Sequence, residues 1–447
     1  MILLSIALIG ISCVSASQDT NMSDVEGEAV GNLAVNEDIS TGNFKELSSA
    51  NDVSGQLESD SGNSAGTFDD LQNEINSAKY ELNLTRDYTA SKGNTVKIVG
   101  SNFKSRGPHW SGFSFTIDGN GHTIDCNNKF NAFDVDLKNN SNSITIKNLR
   151  FINGNNKDGK GGAVTVLNGY LVDFINCTFE NNKAKNGGAI SINNDGRLSI
   201  KNCTFINNIA YEKGGAIYKD EGKMHISWFR KLPISVINSN FISNQAQDGG
   251  AIYLQCEFEI LDALRTNREF KYIGIENSNF VENHADKGDG GAIQIDSERS
   301  KIEIKNSNFT GNYAKGGIQR REGGTVYTNG FVGTVTRSSF VNNWAENRGG
   351  AISARNLCFI DNSYFESNTA KNGNGGAIYI SGKTTYYKDI LEERSYVIKI
   401  SKSTFKSNSA KSGDGGAIYI SAPQELSGYS ETFFLYEGLH LNECNFT

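Results

Sequence analysis

Most of the second two-thirds of the chain is one short pattern written repeatedly. Its first half, F-x-x-N-x-A, pairs Phe179 with Asn182, Phe205 with Asn208, Phe241 with Asn244, Phe280 with Asn283, Phe309 with Asn312, Phe340 with Asn343, Phe365 with Asn368 and Phe405 with Asn408. An Ala follows two residues after each Asn. The second half, Gly-Gly-Ala-Ile or a near copy, begins at Gly161, Gly187, Gly214, Gly249, Gly290, Gly323, Gly349, Gly375 and Gly415. A recurring period of this kind decides the architecture before any other feature.

Successive Gly-Gly starts lie 26, 27, 35, 41, 33, 26, 26 and 40 residues apart, so the minimal unit is 26 residues and some copies carry insertions. Both halves alternate apolar and polar residues with period two, which specifies strands, and a unit of this length has no room for a helix. Strands so short are stable only when stacked coil on coil at a spacing of about 4.8 Å, which makes a parallel β-helix. Phe and Ile of each unit then point inward in columns. The position two before Phe holds Ser or Cys in nine of ten copies, among them Cys177, Cys203 and Cys444, with Leu149 the exception. A small side chain is required there. Asn three after Phe suits a turn, because it tolerates left-handed backbone and its amide can bond to the coil above. Gly-Gly permits a sharp turn without a Cβ clash.

Upstream of the array, Thr67-Phe68-Asp69-Asp70 has capping-box spacing, and Phe68, Leu71, Ile75 and Ala78 recur at helical intervals. The expectation is a capping helix within 67–80 that covers the open end of the solenoid. Irregular opening coils should follow over 81–147, with strands at 82–84, 96–99, 115–117, 122–124, 133–137 and 144–146, and the repeat coils over 148–447. Gly107 to Trp110 reads as a loop. Asn445-Phe446-Thr447 opens a further F-x-x-N, so a longer protein is expected.

The amino terminus reads as an export signal over 1–16: an apolar run from Leu3 to Ile11, then Val14-Ser15-Ala16 before Ser17, although no Lys or Arg precedes the run. No later stretch is apolar for long enough to span a membrane as a helix. Residues 17–66 hold ten acidic residues and one basic residue, Lys45, which reads as a disordered leader. Removing that charge of -9 from the total of -7 leaves +2 for the rest of the chain. A nearly neutral array with mixed charges argues against a nucleic-acid partner.

The paired F-x-x-N and G-G-A-[ILV] motifs resemble the repeats of chlamydial polymorphic outer-membrane proteins. The D-G-N-G-H-T-I-D run at 118–125, together with the signal and the Asn-rich coils, is similar to adhesin-like proteins of methanogenic archaea. The resemblance implies an all-β, right-handed parallel β-helix of pectate-lyase-like architecture, displayed at the cell surface for non-enzymatic adhesion to a host or neighbouring cell, a glycan or a protein. It implies no cofactor.

Two places could carry that adhesion. The outward residue after Gly-Gly-Ala-Ile is Tyr218, Tyr253, Tyr327, Tyr379 or Tyr419 in five of nine copies. Such a row reads either as an exposed aromatic binding strip or as strand-stabilising stacks. The four long units also all gain their length in one phase, at about 219–233, 254–272, 381–397 and 421–438. These arms contain Trp228 and Phe229, Phe258 and Phe270, Tyr386, Tyr387 and Tyr396, and Phe433, Phe434 and Tyr436. Alternation in 256–260 and 268–272 suggests hairpins, and neighbouring arms would form aromatic ridges on one face. Tolerated surface insertion explains them equally well.

The competing reading is a secreted polysaccharide lyase or glycoside hydrolase, which needs carboxylates converging from adjacent coils. The outward columns six and four residues before Phe stack no two carboxylates on successive coils. The densest acidic group is Asp118, Asp125, Asp134 and Asp136, beside Gly and Asn as turn residues are. Spacings diagnostic of a metal site are missing from the sequence. Cys177 and Cys203, one coil apart, could bridge, although packing already accounts for both. The sequons at Asn83, Asn139, Asn176, Asn202, Asn308 and Asn445 permit glycosylation of an exported chain.

Overall fold

The computed structural model describes residues 64–447 apart from 92–93, 101–112, 139–141, 169–170, 193–196, 220–222, 225–233, 256, 259–272, 298–300, 317–322, 382–396 and 422–437. The export signal, nearly all of the acidic leader and the 107–110 loop fall outside the described residues.

In the regular coils four strand stations succeed one another. One coil runs through Thr178–Glu180, carrying the Phe, Lys183–Asn186, carrying the Ala, Ile190–Ile192, after the Gly-Gly, and Arg197–Lys201, which closes it. The next begins at Thr204–Ile206, with Phe179 paired directly to Phe205. Every pairing between successive coils is parallel and every Phe meets a Phe, from Phe151 and Phe179 through to Phe405 and Phe446. The Phe strands form a 13-stranded sheet and the Ala strands a 9-stranded sheet. The Gly-Gly and closing strands together form a wide sheet of 21 strands. The fold is a parallel β-helix.

The Gly-Gly and closing stations lie end to end in one sheet. Val326–Thr336 and Ile352–Asp361 run through both without a break, whereas other coils, with or without an arm, carry the two as separate strands. The arms therefore leave from the middle of the wide sheet.

Three ladders hold the coils in register. The Phe rings stack face to face at 4.6 to 5.0 Å with interplanar angles of 8° or less. Full burial of each ring is worth about 1.5–3 kcal/mol. The slot two before Phe is more than small: the backbone N–H of Ser239 donates to Ser278 Oγ at 3.1 Å, and that of Ser278 to Ser307 Oγ at 3.1 Å. Each hydroxyl in turn donates to the carbonyl two residues before it, as Ser239 does to Ile237 at 2.8 Å. In the Cys copies sulfur takes the same place, with Cys177 N–H donating to Cys203 Sγ at 3.4 Å.

The third ladder bears out the amide bond to the neighbouring coil expected of the conserved Asn and corrects the backbone part of that expectation. Left-handed backbone falls one residue earlier, at Asn181, Asn207, Ser243, Glu282, Gly311, Asn342, Ser367 and Ser407. The conserved Asn itself is buried, from Asn182 to Asn368. What the position requires is the amide, which bonds across coils, and not a left-handed backbone. The glycine reading holds: Gly187 has a φ of 66°, and a Cβ on Gly188 would lie 2.0 Å from the carbonyl oxygen of Gly215 in the next coil.

At the N-terminal end the helix spans Phe68–Ser77 and buries Phe68, Leu71 and Ile75 against the opening coils. Thr67 accepts from the Asp70 N–H, and Asp70 accepts from Thr67, completing the capping box. Opening strands form at Glu81–Asn83, Val96–Val99, Ser114–Asp118, Thr123–Asp125, Phe133–Asp136 and Ser143–Lys147, with Tyr88–Thr89 as a further strand that the sequence did not signal.

Candidate functional site

The wide sheet carries both groups of residues that the sequence singles out. Tyr218, Tyr253, Tyr327 and Tyr379 are buried and Tyr419 is half-buried, so of the two readings of the row the exposed strip does not form. The reason is the turn that precedes each Gly-Gly. That turn folds back beside the outward face, so that a Cβ on Gly187 would stand 3.1 Å from Tyr218 Cβ. Its cations lie over the rings: Lys160 at 5.5 Å from the Tyr218 centroid, Lys213 at 4.5 Å from Tyr253 and Arg348 at 4.7 Å from Tyr379. Tyr218 stacks on Tyr253 at 5.8 Å and Tyr379 on Tyr419 at 5.7 Å, the strand-stabilising alternative.

Of the arm residues, Trp228, Phe229, Phe270, Tyr386, Tyr387, Tyr396, Phe433, Phe434 and Tyr436 lie outside the described residues, and Phe258 is described in its backbone alone. What is described joins the first two arms: Lys223 pairs with Glu257 and Met224 with Phe258, in parallel. The pairing links an arm to its neighbour and runs in the same sense as the coils that carry them.

The four acidic candidates serve turns and coil contacts. Asp118 accepts from the Asn120 N–H at 3.0 Å and from Asn148 Nδ2 at 3.0 Å, and pairs with Lys147 at 2.9 Å. Burial pushes its carboxyl up, but the Lys147 bond and the two other donors outweigh that and hold it below the usual range. Asp125 accepts from the Asn127 N–H and Asn153 Nδ2, Asp134 from Asn131 Nδ2, and Asp136 from the Lys138 N–H. Asp125 sits in the Phe-strand sheet and the other three in the wide sheet, so they are split between two faces of the coil. Among the described residues no group of three or more His, Cys, Asp or Glu could hold a metal ion. Cys126, Cys177 and Cys203 are free and buried. Burial pushes the Cys126 and Cys177 thiols up, away from the reactive thiolate.

These repeats decide the relationship. Residues 176–193, 202–219, 337–355, 362–381 and 402–421 match the Chlamydia polymorphic membrane protein repeat. The chain carries polymorphic membrane protein repeats. Each matched segment begins at the left-handed residue three before Phe and ends in or just beyond the Gly-Gly station, so the repeat covers the Phe, Ala and Gly-Gly stations and leaves out the arms. No curated protein and no solved structure matches the chain.

Two constellations were not singled out by sequence reasoning. On the outward face of the Ala-strand sheet, His284, Tyr313 and Trp344 stack in consecutive coils at 4.8 and 4.6 Å, with Lys371 Nζ 3.3 Å from the Trp344 centroid. The signal was available in the column four after Phe, which reads His, Tyr, Trp at 284, 313 and 344. Because these rings stack on one another, their faces are occupied, and the ladder fastens coils as the inner Phe ladder does. The second constellation, around Tyr253, is taken up below.

Proposed function

We propose that this protein is a non-enzymatic rod displayed at the cell surface, in which the polymorphic membrane protein repeats are scaffold and the arms make the contacts with another cell, a glycan or a protein. The observation that carries this reading is the placement of the arms. All four are spliced at the same station, the middle of the wide sheet, and strand pairing joins the first two to each other. A stacked scaffold keeps neighbouring arms one coil apart on one face, which suits a surface built from several arms. Surface display is supported by the repeat family, whose name places its members at a membrane.

The test is deletion of 256–272, and separately of 422–437, each replaced by a short Gly-Ser link that leaves the flanking strands whole. Val326–Thr336 and Ile352–Asp361 demonstrate that a coil closes without an arm, so both deletions should fold. Beads coated with either deletion protein should adhere to cells less than beads coated with the full chain. Undiminished adhesion by both would sink the role of the arms.

A further inference from the structure

Beside the root of the 254–272 arm, three coils bring a polar cluster together on the outward side of the wide sheet. Lys213 Nζ donates to the Tyr253 hydroxyl at 3.0 Å, which donates to Asp296 Oδ2 at 3.0 Å. Asn329 Nδ2 donates to Asp296 Oδ1 at 2.9 Å. Tyr253 is wholly buried, and burial together with Asp296 pushes its phenol far up, so the hydroxyl keeps its proton and the direction of this chain is fixed. Asp296 and Asn329 are half-buried and form a rim.

Gln294 lies in the same column as Tyr253, paired with it on one side and with Tyr327 on the other. It is 0% exposed, and neither its Nε2 nor its Oε1 has a partner. The Oδ1 of Asn329 is likewise buried without a partner. A buried amide with all its valences unused is costly, by more than a hydrogen bond ordinarily returns, and native interiors rarely tolerate one. No other coil places an amide side chain in this column, where the remaining residues are Thr, Ser and Tyr.

We infer that Gln294, Asn329 and Asp296 form a binding site for a neutral saccharide. The leftover valences select that class. Lys213 and Asp296 are already joined through Tyr253, so the unused groups are amide N–H and C=O, which complement a hydroxyl that both donates and accepts. An anion or cation would find no unbalanced partner among them. A saccharide presents several such hydroxyls at the spacing of neighbouring side chains, and a few convergent polar groups over a buried floor are what a small-molecule site requires. The site lies outside the arms and does not rest on their proposed role.

Saturation-transfer difference NMR on the full chain, with maltose, cellobiose and lactose as probes and sodium glucuronate as the charged control, tests this. The expected result is transfer to ring protons of at least one neutral disaccharide, lost in Gln294→Met, which keeps the side chain's length but removes both amide atoms. If thermal unfolding shows that Gln294→Met does not fold, Asn329→Leu is read in its place. Absence of transfer to all three disaccharides would overturn the inference. So would transfer to glucuronate alone, or transfer that survives the substitution in a folded variant.

Discussion

Asn283 and Asn312, one coil apart in the interior, share a side-chain hydrogen bond of 2.9 Å from Nδ2 of the first to Oδ1 of the second. The second hydrogen of Asn283 Nδ2 goes to the Phe241 carbonyl at 2.8 Å, and its Oδ1 accepts from both N–H and Nδ2 of Asn244. All the amide's valences are used, and the same pattern runs from Asn182 to Asn408. Asp could not supply the two donors, and Gln is too long for a slot set by the coil spacing.

Asn283→Asp should therefore be much worse than its near-identical shape suggests. It removes both donors and brings a buried carboxylate beside the Asn312 oxygen, leaving the Phe241 carbonyl unpaired at about 1–3 kcal/mol for each orphaned group. Asn283→Ala should cost a similar amount through the Asn244 N–H. Urea unfolding and amide hydrogen exchange at Asn244 would measure both, and exchange there should accelerate before global unfolding.

In the slot before Phe, Ser278→Cys should cost under about 1 kcal/mol, because the chain already uses Cys at the same station and sulfur still accepts. Ser278→Val removes the acceptor of the Ser239 N–H and adds bulk, and should cost about 1–3 kcal/mol more. Denaturation midpoints of the two variants should separate clearly, and equal midpoints would mean that size alone matters at this site.

Within the Phe ladder, Phe280→Ala should cost about 3–5 kcal/mol, since the ring is wholly buried and stacked on both Phe241 and Phe309 at 4.7 Å. Phe280→Leu, which keeps most of the buried apolar volume, should lose less. Calorimetric unfolding of the pair checks the difference.

Acid should loosen the coil contacts. Asp118 is held below the usual carboxylate range against its own burial by Lys147, Asn148 and Asn120, and Asp286 against its burial by Lys315 and Gln245. The hydrogen bond from Lys406 does the same for Glu366. A depressed carboxylate contributes stability that is present above its unfolded pKa, about 4, and is lost as pH falls through the lower folded value. Stability should thus be flat from neutrality to about pH 5 and fall below pH 4. Asp118→Asn should lower the melting temperature at pH 7 and flatten the acid slope, as melting curves across that range would reveal.

Thiol labelling under native conditions should miss Cys126, Cys177 and Cys203, which are buried, and should reach all three once the chain is unfolded; burial also pushes the Cys126 and Cys177 thiols up, away from the thiolate. Rapid native labelling of Cys177 would contradict its place in the ladder.

The repeat alone determined the architecture: a period of 26 residues, alternation in both halves and Gly-Gly at each turn leave a parallel β-helix, and the Thr67–Asp70 box located the capping helix. These features are legible because each is local and is repeated in every unit. What a residue does between coils was not. The Asn amide can be read as reaching the coil above, but which groups it meets there waits on the stack, and the Tyr row reads as either an exposed strip or a set of stacks until the turn before Gly-Gly is folded against it. Tyr253 reaches Lys213 across 40 residues and Asp296 across 43, intervals set by insertions of irregular length. Stacking brings such residues within hydrogen-bond distance whatever the chain does between them, so only the tertiary structure decided which side chains meet.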